Sequence, residues 1–212
     1  MAKALWFLLK PALVMVGSLT LLYPVLVLLC LLTGNTQFFF AYVQGFFVLY
    51  DVVLGICAAQ VISGYVPLAL GFGATRRSLR GAVAIFWVAL PLLCMVLDYL
   101  CNSISARLFY TGMNELFINL LLYPLQGLGL KFLLCASMLW LGTLSLSMLP
   151  LWKRVLAILL LCAVYLQIAV FMLLGTFLPS ALNLHSLALG LLSLPFVAIA
   201  LHQIKTLAIT QA

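Results

Sequence analysis

Stretch after stretch of this chain runs for twenty residues or more with scarcely a charged side chain, and no other feature limits its fold as sharply. A helix needs about 20 apolar residues to cross the hydrocarbon core of a bilayer. Apolar residues make up 67% of the 212, and charged residues only 6%. A soluble domain of this size needs about a quarter of its residues charged to cover its surface. Lipid must therefore cover this one, and the sequence predicts an all-α polytopic membrane protein.

Six transmembrane helices are expected in a single domain spanning residues 1–212, at about 11–32 (with a possible start at Leu5), 38–62, 81–101, 131–149, 155–178 and 182–201. The first ends at Thr33-Gly34-Asn35-Thr36. Lys3 and Lys10 precede a run too long for a signal peptide, with no small-x-small cleavage site before Asn35, so it reads as an uncleaved first helix. Leu116 to Leu149 is too long for one span, reaching roughly 50 Å at the helical rise per residue. Pro124, Gly127 and Gly129 offer a break. Glu115 to Gln126 then forms a short helix in the outer interface, and Lys131 opens the fourth span with its ammonium snorkelling to the outer headgroups. The competing reading starts the span near Leu116 and puts Lys131 in the bilayer interior.

The net charge of +7 sits between apolar runs, where it sets topology and does not bind nucleic acid. With the N-terminus in the cytoplasm, the inner side receives Lys3, Lys10, Arg76, Arg77, Arg80, Lys153, Arg154 and Lys205, and the outer side keeps Arg107 and Lys131. That bias predicts a multi-pass protein of the plasma membrane with both termini cytoplasmic.

The side chains that carry chemistry elsewhere are scarce here. None of the six cysteines forms Cys-x-x-Cys, and no His lies at ligand spacing from one. They read as small apolar packing residues, with no Cys30–Cys101 disulfide and no metal expected. His185 and His202 fall at the two ends of the last span. The acids are Asp51, Asp98 and Glu115. Asp98 comes roughly 27 Å up the third helix from Arg80, which predicts the outer interface. Asp51 falls inside the second span, and Gln37 and Gln44 precede it at seven-residue intervals on the same face. Such a stripe faces the bundle or a water-filled path, as a substrate route or as interhelical glue. Gly55 with Ala59, and Ser186 with Gly190, suit close helix packing. The zinc motif His-Glu-x-x-His is absent, and Val61-Ile62-Ser63-Gly64 lacks the first glycine of a Gly-x-Ser-Gly nucleophile turn. The phosphate-cradling Gly-x-x-x-x-Gly-Lys-Ser/Thr is missing too, so no catalytic residue and no cofactor are expected in this chain.

One stretch stands apart from the apolar background: Val66-Pro67-Leu68-Ala69-Leu70-Gly71-Phe72-Gly73-Ala74-Thr75-Arg76-Arg77-Ser78-Leu79-Arg80-Gly81. Pro67 suits the first turn of a helix, and Gly71 to Gly73 would end it. A short helix along the cytoplasmic face, a tight turn and a basic entry to the third span are expected. The stretch resembles the link between helices two and three of bacterial ABC transporter permeases of the ABC-2-like, six-span type. Those chains carry a Pro-Leu-Ala-Leu-like run, then Phe-Gly-(Ala/Val/Ile)-(Thr/Ser)-Arg-(Arg/Lys).

The resemblance implies a permease subunit, for export, whose link is a coupling helix seated in a separate nucleotide-binding ATPase subunit. Pro67, Leu68, Leu70, Gly73, Thr75, Arg76 and Arg77 would make that contact. A dimer with itself or with a sister permease is implied as well, with Gln44 and Asp51 lining the path. Two readings compete. One is a non-transporting scaffold or immunity-type protein whose arginines bind lipid or a partner's acidic face. The other is an ion-coupled carrier that uses Asp51. Replacing Arg76 and Arg77 together by lysine is expected to abolish transport while leaving binding to anionic vesicles largely intact, because lysine keeps the charge and loses the guanidinium fork.

Overall fold

The computed structural model describes residues 2–34, 49–109, 124–146 and 179–206, with scattered residues between 151 and 166, and every element among them is a helix. In chain order these are α1 (Ala2–Thr33), α2 (Leu49–Gly71), α3 (Arg76–Phe109), α4 (Pro124–Leu146) and α5 (Pro179–Thr206). All five are long and apolar enough to cross a membrane. Their outward faces carry exposed Leu, Val, Ile and Phe, such as Leu21, Val52, Val96 and Leu191. Water does not tolerate such a surface in bulk, and lipid does.

Several expected boundaries move. α1 begins well before residue 11 and carries Pro11 and Pro24 within it. α3 starts at Arg76 and runs past Cys101 to Phe109. α5 exceeds the expected 182–201 at both ends. α4 starts at Pro124, where a proline has no amide hydrogen to leave unpaired. Gly127 and Gly129 are therefore inside a helix and do not break it. The beginning of the second span, most of Glu115 to Gln126 and most of the fifth span lie outside the described residues; Leu151, Trp152, Ile158, Leu161 and Tyr165 are helical.

Contacts between helices fix their directions. Phe7 of α1 packs edge-on against Tyr65 and Phe72 at the end of α2. Thr20 and Tyr50 share a hydrogen bond of 2.8 Å, so these two helices are antiparallel. The Tyr23 hydroxyl donates to the Cys101 carbonyl at 2.6 Å, which sets α1 parallel to α3. Trp87 Nε1 donates to the Phe132 carbonyl at 3.3 Å and ties α3 to α4. The amide of Gly129 donates to Ser186 Oγ at 3.1 Å, and Trp140 meets Phe196 ring to ring, so α4 and α5 run parallel. The shared core includes Leu8, Tyr50, Leu54, Phe86, Leu90 and Leu139.

Small residues let the backbones come this close, as they do where lipid removes the hydrophobic drive between helices. A Cβ at Gly129 would run into the Ser186 carbonyl oxygen. Gly55 leaves ordinary contact with Met138, and an atom added at Gly190 would meet nothing. Of the small pairs in the sequence, Ser186 does the packing against α4 and Gly190 does not. Gly129→Ala is expected to cost about 1–3 kcal/mol by forcing α4 off α5. A lowered unfolding midpoint in detergent would report it, with Gly190→Ala as a silent control.

Candidate functional site

Two features of this bundle exceed what packing requires. The first is a cluster of three charges. Asp51 comes from α2, Asp98 from α3 and Lys131 from α4. The Lys131 ammonium donates to Asp51 Oδ1 at 2.6 Å and lies 2.5 Å from Asp98 Oδ2. The side chains of Lys131 and Asp98 are 3% and 6% exposed, and that of Asp51 is 23% exposed.

This arrangement corrects two expectations. Lys131 does not snorkel: it sits roughly two turns inside α4, between two carboxylates. Asp98 is not an open surface acid: α3 continues to Phe109, and the side chain is buried against the neighbouring helices. Asp51 faces the bundle as its depth required, but Gln37 and Gln44, the rest of its stripe, lie outside the described residues. The signal for the triad was present in the sequence. Two acids and one lysine fell within apolar runs, and charges at that depth pair with one another.

Apolar and polar groups of four helices enclose the cluster. Tyr50, beside Asp51 in sequence, bonds Thr20 of α1 and stands 4.0 Å from Cys101 Sγ. Cys94, one turn before Asp98, is fully buried, as is Cys135 on α4. All six cysteines are free thiols. Among the described residues, no group of His, Cys, Asp or Glu is arranged to hold a metal.

The second feature is the turn between α2 and α3. The sequence suggests a separate short helix beginning near Pro67, and the backbone shows otherwise. Residues Val66 to Gly71 prolong α2 without interruption, through a π-helical turn at Val61–Tyr65 whose wider hydrogen bond runs from the Val66 amide to the Val61 carbonyl. The proline is the physical reason. Inside an α-helix its ring would press on the carbonyl four residues back and leave that carbonyl without a donor, and a widened turn relieves such a clash.

α2 then stops within three residues. The amides of Phe72, Gly73 and Ala74 return to the carbonyls of Leu68, Leu70 and Ala69 at 2.9–3.0 Å. Gly73 holds φ at 84°, a conformation that glycine adopts without strain. Thr75 opens α3, its Oγ1 accepting the Ser78 amide at 3.3 Å. A tight turn and a basic entry to α3 are thus both present.

Around this turn the exposed groups are Leu68, Gly71, Phe72, Gly73, Thr75, Arg76, Arg77 and Arg80, whereas Pro67 and Leu70 are half-buried. Phe72 is 81% exposed, unusually open for its type. Arg76 Nη1 donates to the carbonyl of Lys205 at 3.2 Å, fastening the turn to the end of α5. The first turns of α1, with Lys3 and Lys10, lie at the same end of the bundle.

Lys131→Met is expected to destabilise the protein by about 3–5 kcal/mol, since it strands two buried carboxylates together. Thermal unfolding in detergent measures this. Compared with protein-family models, curated proteins and solved structures, the chain matches none.

Proposed function

We propose that this chain is the membrane-spanning permease subunit of an ABC-type transporter, working in export at the plasma membrane, with its basic turn seated in a separate ATPase subunit. The observation that carries this reading is the turn itself. Leu68, Phe72, Arg76 and Arg77 are all exposed around a turn held by backbone hydrogen bonds and by the threonine cap. A surface that is apolar and cationic together suits a groove on a protein partner, and its rigidity lets motion of that partner reach α2 and α3. Gly73 and Thr75 shape the turn, Arg76 and Arg77 supply the charge, and Pro67 to Leu70 form its stalk.

ATP would bind and be hydrolysed on the partner. Gathering Lys3, Lys10, Arg76, Arg77, Arg80 and Lys205 at one end supports a cytoplasmic location for that end, and with it for both termini. The parallel course of α4 and α5 supports a further crossing between them, which makes six spans and half of a transporter. A second copy or a sister permease would complete the path.

The carrier reading retains one observation in its favour, the buried ion cluster, which includes Asp51. Purifying the tagged protein from its native membrane in mild detergent tests the proposal. A stoichiometric ATPase subunit is expected to accompany it and to be lost when Gly73 to Arg77 is scrambled. A homo-oligomer free of any ATPase, whose transport fails in Asp51→Asn, would replace the permease with the carrier.

A further inference from the structure

The charges of the ion cluster do not balance. One ammonium faces two carboxylates, and Lys131 is the only cation in ion-pair contact with either acid among the described residues. With both acids ionised, the cluster would carry one surplus negative charge at a site almost closed to solvent. An isolated buried charge is far costlier than a neutral acid, so groups in that position give it up by taking a proton.

We infer that the Lys131–Asp51–Asp98 cluster is a proton-binding site, with one exchangeable proton held on Asp98. Geometry selects the residue. Lys131 donates to Asp51 Oδ1 at 2.6 Å. Asp98 Oδ2 lies 2.5 Å from the same ammonium, so the two acids share one cation. Asp98 is the more deeply buried acid, while Asp51 keeps 23% of its side chain open.

The step is simple to balance. A proton leaves a hydronium ion of the aqueous phase and bonds to a carboxylate oxygen of Asp98. Lys131 keeps its own protons and its bond to Asp51, and the cluster passes from one negative charge to none. Among the described residues, the other titratable groups in electrostatic contact with the cluster are phenols and thiols: Tyr50 on α2, Cys94 and Cys101 on α3, and Tyr165. All of these are neutral near pH 7, so none offsets the surplus. The site stands whether or not an ATPase subunit binds the basic turn, because its three members lie in this chain alone.

Infrared spectroscopy of the purified chain in detergent, without any partner, tests the site. At about pH 6 ordinary carboxyl groups are still ionised, so a protonated-carboxyl carbonyl band there marks a buried acid that holds its proton. The wild-type protein is expected to show one such band per chain, and Asp98→Asn to lose it. Asp51→Asn is expected to lose it too, because the single remaining acid then pairs with Lys131 and ionises. No band in the wild-type protein overturns the inference, even if sodium ions raise its thermal stability. A band that survives in folded Asp98→Asn overturns it as well. Should either variant fail to fold, the wild-type spectrum alone decides.

Discussion

An ammonium group lodged between two carboxylates, inside a bundle whose outer face is hydrocarbon, is the constraint on which the rest of this molecule depends. Each charge alone would be expelled from such surroundings. Together they can remain only if α2, α3 and α4 bring Asp51, Asp98 and Lys131 to one point. The packing is built to hold that position. Trp87 fastens α3 to α4 one residue beyond Lys131, and Gly129 lets α5 close on α4 two residues before it. Tyr50, next to Asp51, joins α2 to α1 through Thr20. Apolar side chains fill the bundle without choosing among similar arrangements, whereas a charge cluster accepts a single register. Such specificity is the best-attested use of buried ions, which add little net stability.

Much of the architecture was legible in the sequence because hydropathy reports directly on the solvent around a helix. The apolar runs near 11–32, 81–101 and 182–201 each fall within a helix, the described part of the second run is α2 from Leu49 on, and the glycine turn before Arg76 is where α2 ends. The errors share one physical origin: local signals were read without their tertiary partners. Gly127 and Gly129 resembled a helix break because glycine weakens isolated helices. Here the missing side chain at Gly129 admits the backbone of α5. Lys131 looked like a snorkelling residue because its acids lay 80 and 33 positions away in the chain. Distance from Arg80 locates Asp98 at an interface only if helix and hydrocarbon end together, and α3 runs on past Cys101 to Phe109. Pro67 suggests a helix start, a role proline fills when nothing precedes it. In this chain a helix already approached from Leu49 and could widen to admit it.

The two notable features lie at different depths along the same helices. Asp51 is near the first described turn of α2, and the exposed Phe72 follows its last. Asp98 sits in the far half of α3, whose first residue is Arg76. The basic turn and the ion cluster are therefore joined by two continuous helices with a shared core between them, Leu54, Ala58, Phe86 and Leu90 among its members. A force applied at the turn has a stiff route to the cluster.

The π-helical turn at Val61–Tyr65 bears on the aim of that route. Buried positions on α2 recur at Leu54, Ala58, Ile62 and Val66, every four residues. In an unbroken α-helix a four-residue repeat drifts by about 40° per step around the axis, so the buried face would soon wind away from α1 and α4. A turn holding more residues rotates each of them less, and it takes back part of this drift where it would otherwise accumulate. The widened turn thus acts as a phase corrector. It lets Val66 and Ala69 stay inside the bundle while Leu68 and Phe72 point out of it, so the direction in which the basic turn faces is set by a single irregularity one turn below.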